Sequence, residues 1–177
     1  MAFHHVAFAT NDLVATHAFY TEAMGFNVVK VVAAPTPSGQ GWAKHVFYDT
    51  GNGEMIAFWD IHDPTIPKAE TAISTALGLP EWVNHLAFDA AVDDLPAIRE
   101  RWLRNGHDVV QVDHGFCISA YANDPNGILV EFCADSRPLN ADDRSHAERT
   151  VLDPAPELEV PPSADFFLAR DHQPATA

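Results

Sequence analysis

The chain is short of positive charge: ten Lys and Arg stand against 25 Asp and Glu in 177 residues, a formal net charge of −15. Nucleic acid and anionic membrane are therefore poor partners, because a polyanion is repelled over most of such a surface. Cysteine is scarce as well. Cys117 and Cys133 make neither a metal-binding CxxC pattern nor a disulfide framework. No apolar run reaches membrane-spanning length, and Met1 leads almost directly into His4-His5-Val6-Ala7-Phe8 rather than into a signal peptide. A cytoplasmic protein is the default expectation. What is present is ordinary globular composition, 47% apolar and 20% charged, in a chain long enough to bury a sizeable core as one structural domain. Histidine stands out, with ten residues against ten Lys plus Arg.

An internal repeat organises the chain. His5-Val6-Ala7-Phe8 recurs as His85-Leu86-Ala87-Phe88. Each copy leads to an acidic helix start, Asn11-Asp12-Leu13 or Asp93-Asp94-Leu95-Pro96, and each helix stops at a glycine, Gly25 or Gly106. A β-branched pair follows, Val28-Val29 or Val109-Val110. Asn52-Gly53 then heads Met55-Ile56-Ala57-Phe58 as Asn126-Gly127 heads Leu129-Val130-Glu131-Phe132. The pattern reads as an α+β fold of two βαβββ modules paired around a metal-containing cleft, residues 1–63 and 81–135. Residues 64–80 form a linker, with a short helix expected around Ala69 to Leu77. Two copies are too few for a solenoid, so the modules must pair to bury their apolar faces. Residues 136–177 form an acidic, Pro-rich tail. The composition suits disorder, but Phe166-Phe167-Leu168 offers an anchor for docking on the modules or on a neighbouring subunit.

The repeat allows the modules to be compared with each other. His5 and His85 hold the same place on their first strands. Glu131 lies late on the last strand of the second module, and its counterpart in the first is Ala57. Pairing of the modules would bring two imidazoles and one carboxylate together, with a methyl in place of a fourth ligand. Such a set with open positions suits non-haem Fe(II), and Mn(II) or another divalent metal is also acceptable. Zn(II) would need water as its last ligand. Strand alternation should turn His4 away from His5.

With His5, His85 and Glu131 on two βαβββ units, residues Phe3 to Asp135 resemble the vicinal oxygen chelate superfamily of glyoxalases, bleomycin- and fosfomycin-resistance proteins and extradiol dioxygenases. The stretch from Val112-Asp113-His114 through Tyr121-Ala122-Asn123-Asp124-Pro125-Asn126-Gly127 to Glu131 is similar to the type I extradiol signature. Ala120 departs from it, standing where a larger aliphatic residue is usual. The resemblance implies chelation of a catechol-like aromatic by Fe(II), with O2 as co-substrate. It also implies that Tyr121 hydrogen-bonds a substrate oxygen and that His114 lines the pocket.

An acid–base histidine is harder to find. With Ala57 facing the cavity, the positions in phase are Ala57 and Trp59, and His62 falls out of phase unless the strand has ended. The loops before Asn52 and Asn126 are equal in length, so Phe47 corresponds to Tyr121 and His45 to Ser119. His45 is thereby the candidate proton carrier, His62 the fallback, and the absence of any such residue stays open. Phe47, Trp59, Phe116 and Trp42 are candidates to border an aromatic substrate.

The leading expectation is a ring-cleaving dioxygenase, an oxidoreductase of aromatic compound degradation forming a homo-oligomer. The alternative is a glyoxalase-like or fosfomycin-resistance-like metal-dependent lyase, isomerase or transferase. Against it stand Ala57 at the fourth ligand position and the shortage of cations to clamp an anionic substrate. A metal-free binding protein is a third reading, opposed by retention of all three ligand types.

Overall fold

The computed structural model describes residues 3–172. Strand β1 (His5–Thr10) leads to helix α1 (Leu13–Ala18), which widens into a π-helical turn over Phe19–Ala23. Asp12 caps α1 by accepting from the Ala15 N–H at 2.9 Å. Gly25, at φ +80°, supplies the left-handed residue that turns the chain into β2 (Asn27–Pro35). Strands β3 (Trp42–Gly51) and β4 (Glu54–His62) follow, joined by a tight turn in which Asn52 and Gly53 both have positive φ. The linker has one helical turn, Thr75–Leu77, shorter than the helix expected there.

The second module repeats the plan. It comprises β5 (His85–Asp89), α2 (Leu95–Arg104), β6 (Val109–Asp113), β7 (Cys117–Asn123) and β8 (Leu129–Asp135). The tail adds helix α3 (Ala141–Thr150) and a short strand β9 (Ala164–Phe167). The sheets run β1-β4-β3-β2 and β5-β8-β7-β6-β9. In each, the first and last strands of the module pair in parallel and the remaining pairs are antiparallel. These are the two βαβββ modules that the repeat predicted.

Strand alternation decides which side chains meet. Val46, Tyr48, Ile56 and Phe58 of the first sheet join Ala120, Ala122, Val130, Phe132 and Ala134 of the second in a single core. Tyr20, Phe26 and Trp102, from the helical side of the modules, complete it. Phe26 touches Phe88 and Phe132 across the module boundary, with ring centroids 5.1 and 6.3 Å apart. The Arg101 guanidinium donates to the Ala23 and Met24 carbonyls, tying α2 to the end of the first module's helix. Tyr20 Oη donates to Asp124 at 3.1 Å, and Asn126 donates to Thr16 at 3.2 Å. Trp102 is fully buried at the centre, and truncating such a residue to Ala costs about 3–5 kcal/mol.

One consequence governs the site. Each sheet gives one face to the shared core, so the opposite faces look away from it. The opposite face of the first sheet carries His5, His45, Phe47, Ala57 and Trp59, and that of the second carries His85, Ser119, Tyr121, Glu131 and Cys133.

Candidate functional site

In the second module, β5 and β8 run parallel with Ala87 opposite Glu131, which sets His85 diagonally beside the carboxylate. His85 Nε2 stands 3.1 Å from Glu131 Oε2. His85 Nδ1 lies 3.0 Å from the Trp82 carbonyl. A carbonyl only accepts, so Nδ1 carries the proton and Nε2 is left to face Glu131. An imidazolium would donate to Glu131 from that nitrogen; a neutral ring would present a lone pair there, which a divalent cation between it and the carboxylate would satisfy. Glu131 is 4% exposed, and among the described residues no Lys or Arg is paired with it. Two donors about 2.1 Å from one octahedral metal, at right angles, would stand roughly 3 Å apart. The His85–Glu131 spacing fits a divalent metal.

Neighbouring groups hold the carboxylate and extend the site. Fully buried Ser119 donates from Oγ to Glu131 Oε1. Tyr121 is the cross-strand partner of Glu131, and its hydroxyl lies 3.1 Å from His114 Nε2. Burial is the main influence raising Tyr121 to about 12; the Ser119 hydroxyl opposes it and the Glu131 carboxylate adds to it. The phenol is thus a donor at neutral pH. Burial likewise pushes the Cys133 thiol up to about 12, which keeps it protonated and weakly nucleophilic at neutral pH.

In the first module, His5, His45 and Phe47 cluster on one sheet face. The His5 ring is 5.9 Å from His45 and 5.3 Å from Phe47. His45 stacks on Trp59 with centroids 3.9 Å apart, because the two are cross-strand partners. Burial, then the neighbouring His5 imidazole, lower the His45 pKa from its ordinary value. His45 Nε2 is buried and has no hydrogen-bond partner among the described residues.

Three expectations change. His5 does not join His85 and Glu131 within one chain: among the described residues no three His, Cys, Asp or Glu side chains form a metal-holding group. The physical reason is the shared core, which turns the two ligand faces apart. His4 is not turned away from His5, since it precedes β1 in a bend where alternation does not apply, and its Nδ1 lies 2.8 Å from His5 Nδ1. Trp42 does not border the His5 face. It pairs with His62 on the other side of the sheet and stacks on it at 4.0 Å, and His62 is held by Asp60 at 2.8 Å.

Ser119, bonded to Glu131, is a site neighbour that the ligand motif does not include. Its signal was available in the repeat, which pairs it with His45 and places it two residues before Tyr121 on the same strand face.

Two paired βαβββ modules, with a histidine opening each and a carboxylate closing the second, define a protein of the paired-module class. The chain belongs to the Glyoxalase/Bleomycin resistance protein/Dioxygenase superfamily, whose family model matches residues 2–132. Members of this superfamily generally bind divalent metal ions and small-molecule substrates and often form oligomers. Among solved structures, a genomically encoded fosfomycin resistance protein from Listeria monocytogenes is similar at 19% identity and TM-score 0.55, covering 81% of this chain and 97% of that one. A glyoxalase/bleomycin resistance protein/dioxygenase domain from Frankia sp. EAN1pec is 20% identical with TM-score 0.54, over 76% of this chain and 98% of that one. An antibiotic-binding protein from Streptomyces sp. CB03234 is 20% identical with TM-score 0.52, over 77% and 97%. At these identities the likeness shows the fold alone. No curated protein matches, and no described helix is long and apolar enough to cross a membrane.

Proposed function

We propose that the protein is an Fe(II)-dependent extradiol dioxygenase that opens catechol-like rings, with each metal held by His85 and Glu131 of one copy and His5 of a second. The observation that carries this reading is the His114–Tyr121 hydrogen bond on the strand that faces Glu131. Bound Fe(II), or Mn(II) in its place, would supply two-point chelation of the catechol oxygens and reactivity toward O2.

The protein's own residues do the rest. Tyr121, protonated at neutral pH, donates to a substrate oxygen, and His114 fixes the direction of that hydroxyl. His45, whose Nε2 is without a partner among the described residues, receives a proton from a substrate hydroxyl across the site. Phe47 and Trp59 give a flat apolar wall on which an aromatic ring stacks. A second copy is needed because the faces that carry His5 and Glu131 look away from the common core. Closed two-fold pairing sets the first sheet of each copy against the second sheet of the other and makes two equal sites.

The test is anaerobic loading with Fe(II), followed by oxygen-electrode measurements on substituted catechols. Uptake of one O2 per catechol, with a coloured ring-opened product, is expected. Metal binding without oxygen uptake on any catechol would overturn the reading. Metal-dependent turnover of a glyoxalase or fosfomycin-type substrate would replace it with the lyase, isomerase or transferase alternative.

A further inference from the structure

The C-terminal arm lies outside the residues matched by the family model, and it walls off space beside the site. It starts on the loop that carries His114 and Phe116: the Ser136 and Arg137 N–H groups donate to the Phe116 carbonyl, and Ser136 Oγ donates to the Gly115 carbonyl. Arg137 then grips Asp143 with two bonds of 2.6 and 2.8 Å, while Asn140 caps α3. The far end is fixed where β9 pairs with β6 and Phe167 lies 4.3 Å beneath the Arg99 guanidinium.

Between these anchors the arm borders an open cavity of about 930 Å³ with His114, Phe116, Leu139, Arg144 and Val160 among its lining. That volume exceeds what a catechol ring needs and lies in the range of small-molecule sites. The cavity reaches the site through His114, which is bonded to Tyr121. Helix α3 buries none of its own residues, and Phe116, Leu139 and Val160 are 40%, 58% and 91% exposed. These apolar groups are left for something else to cover. The charges on the lining disfavour an anionic occupant. Arg137 is committed to Asp143 and His146 to Glu159, which leaves Arg144 against Asp113 and Asp142.

We propose that this cavity receives an uncharged, apolar substituent or second ring carried by the substrate, and that Leu139 and Val160 select for it. The proposal rests on the ring-cleavage reading for the diol end of the substrate. A bulky apolar substituent buried there should tighten binding on the order of tenfold.

The test is anaerobic titration of the Fe(II)-loaded protein with catechol, 3-phenylcatechol and 3-(2-carboxyethyl)catechol. The phenyl compound should bind on the order of tenfold more tightly than catechol, and the carboxylate compound no more tightly. Leu139→Asp and Val160→Asp should each remove most of the phenyl preference. Val160 is exposed, so its variant should fold even if the other does not. Leu152→Asp, on the same arm but outside the cavity lining, should keep the preference. Equal affinities in the wild type, or a preference that survives both substitutions, would overturn the proposal. The latter would also follow if a second copy fills the cavity. Oxygen uptake separates the two readings: preference without uptake retires ring cleavage and keeps the cavity, whereas uptake without preference retires the cavity alone. Failure of every diol to bind overturns both.

Discussion

The two modules share a plan and differ in what they finish. In the second, the edge strand β6 is covered by β9, and the face opposite the core carries His85, Glu131 and Ser119 as one bonded set, with Tyr121 beside them bonded to His114. In the first, all nine residues of the edge strand β2 are exposed. Its ligand face holds the imidazoles of His5 and His45 among Phe47 and Trp59, with Ala57 where the second module has Glu131. Duplication gave two equivalent surfaces. Divergence left the carboxylate and its supports on one and the His5 and His45 imidazoles on the other. Among the described residues neither half brings three His, Cys, Asp or Glu side chains together as a metal-holding group. A bare edge strand also offers unpaired backbone groups to another chain, which agrees with a site completed between copies.

Three experiments sharpen or break this comparison. The largest effect is expected at His45, the first module's proposed proton carrier. His45→Ala should keep the metal and lower turnover by about 10²–10⁴, and His45→Gln should be nearly as poor, because polarity without titration does not replace a base. If turnover per folded molecule is preserved and only stability falls, the first module contributes a ligand and a wall but no proton transfer.

The second experiment concerns the support under the second module's carboxylate. Ser119→Ala should weaken metal affinity by about 10–100-fold, the usual consequence of losing a group that orients a ligand. Titration with Fe(II) or Mn(II) measures this directly, and Ser119→Thr, which keeps the hydroxyl, should recover part of it. Unchanged affinity would reduce Ser119 to a packing residue.

The smallest signal, a partial recovery of activity, is the most diagnostic of assembly. Homogeneous His5→Ala and His85→Ala proteins should both be inactive. Co-refolded in equal amounts, they should regain about a quarter of wild-type activity, since half the dimers are mixed and one of the two sites in each is intact. No recovery in verified mixed dimers would mean that the ligands do not come from different copies.

The residues on each face were legible in the sequence because strand alternation and the repeat are local. His45 shares the phase of Phe47, and Glu131 that of Tyr121, by counting in twos from the Asn-Gly turns. The same counting would have excluded Trp42, five residues from Phe47 and therefore on the opposite face. It could not place His4, which lies in a bend before the strand begins. The tail's anchor was visible as Phe166-Phe167, but only pairing of β9 with β6 made Phe167 the half-buried member and left Phe166 72% exposed.

By itself, then, the sequence determined the two modules, their turns and caps, and which side chains share a sheet face, because each of these depends on neighbours within a few residues or on a repeated register. The tertiary structure decided the rest. The apolar residues of both sheets and both helices bury most surface by joining one core through Phe26, Trp102 and Phe132. No local pattern records which of two apolar surfaces a module will meet. That packing turns His5 away from His85 and Glu131, so a donor set that reads as one site along the chain is divided between two faces of the folded molecule.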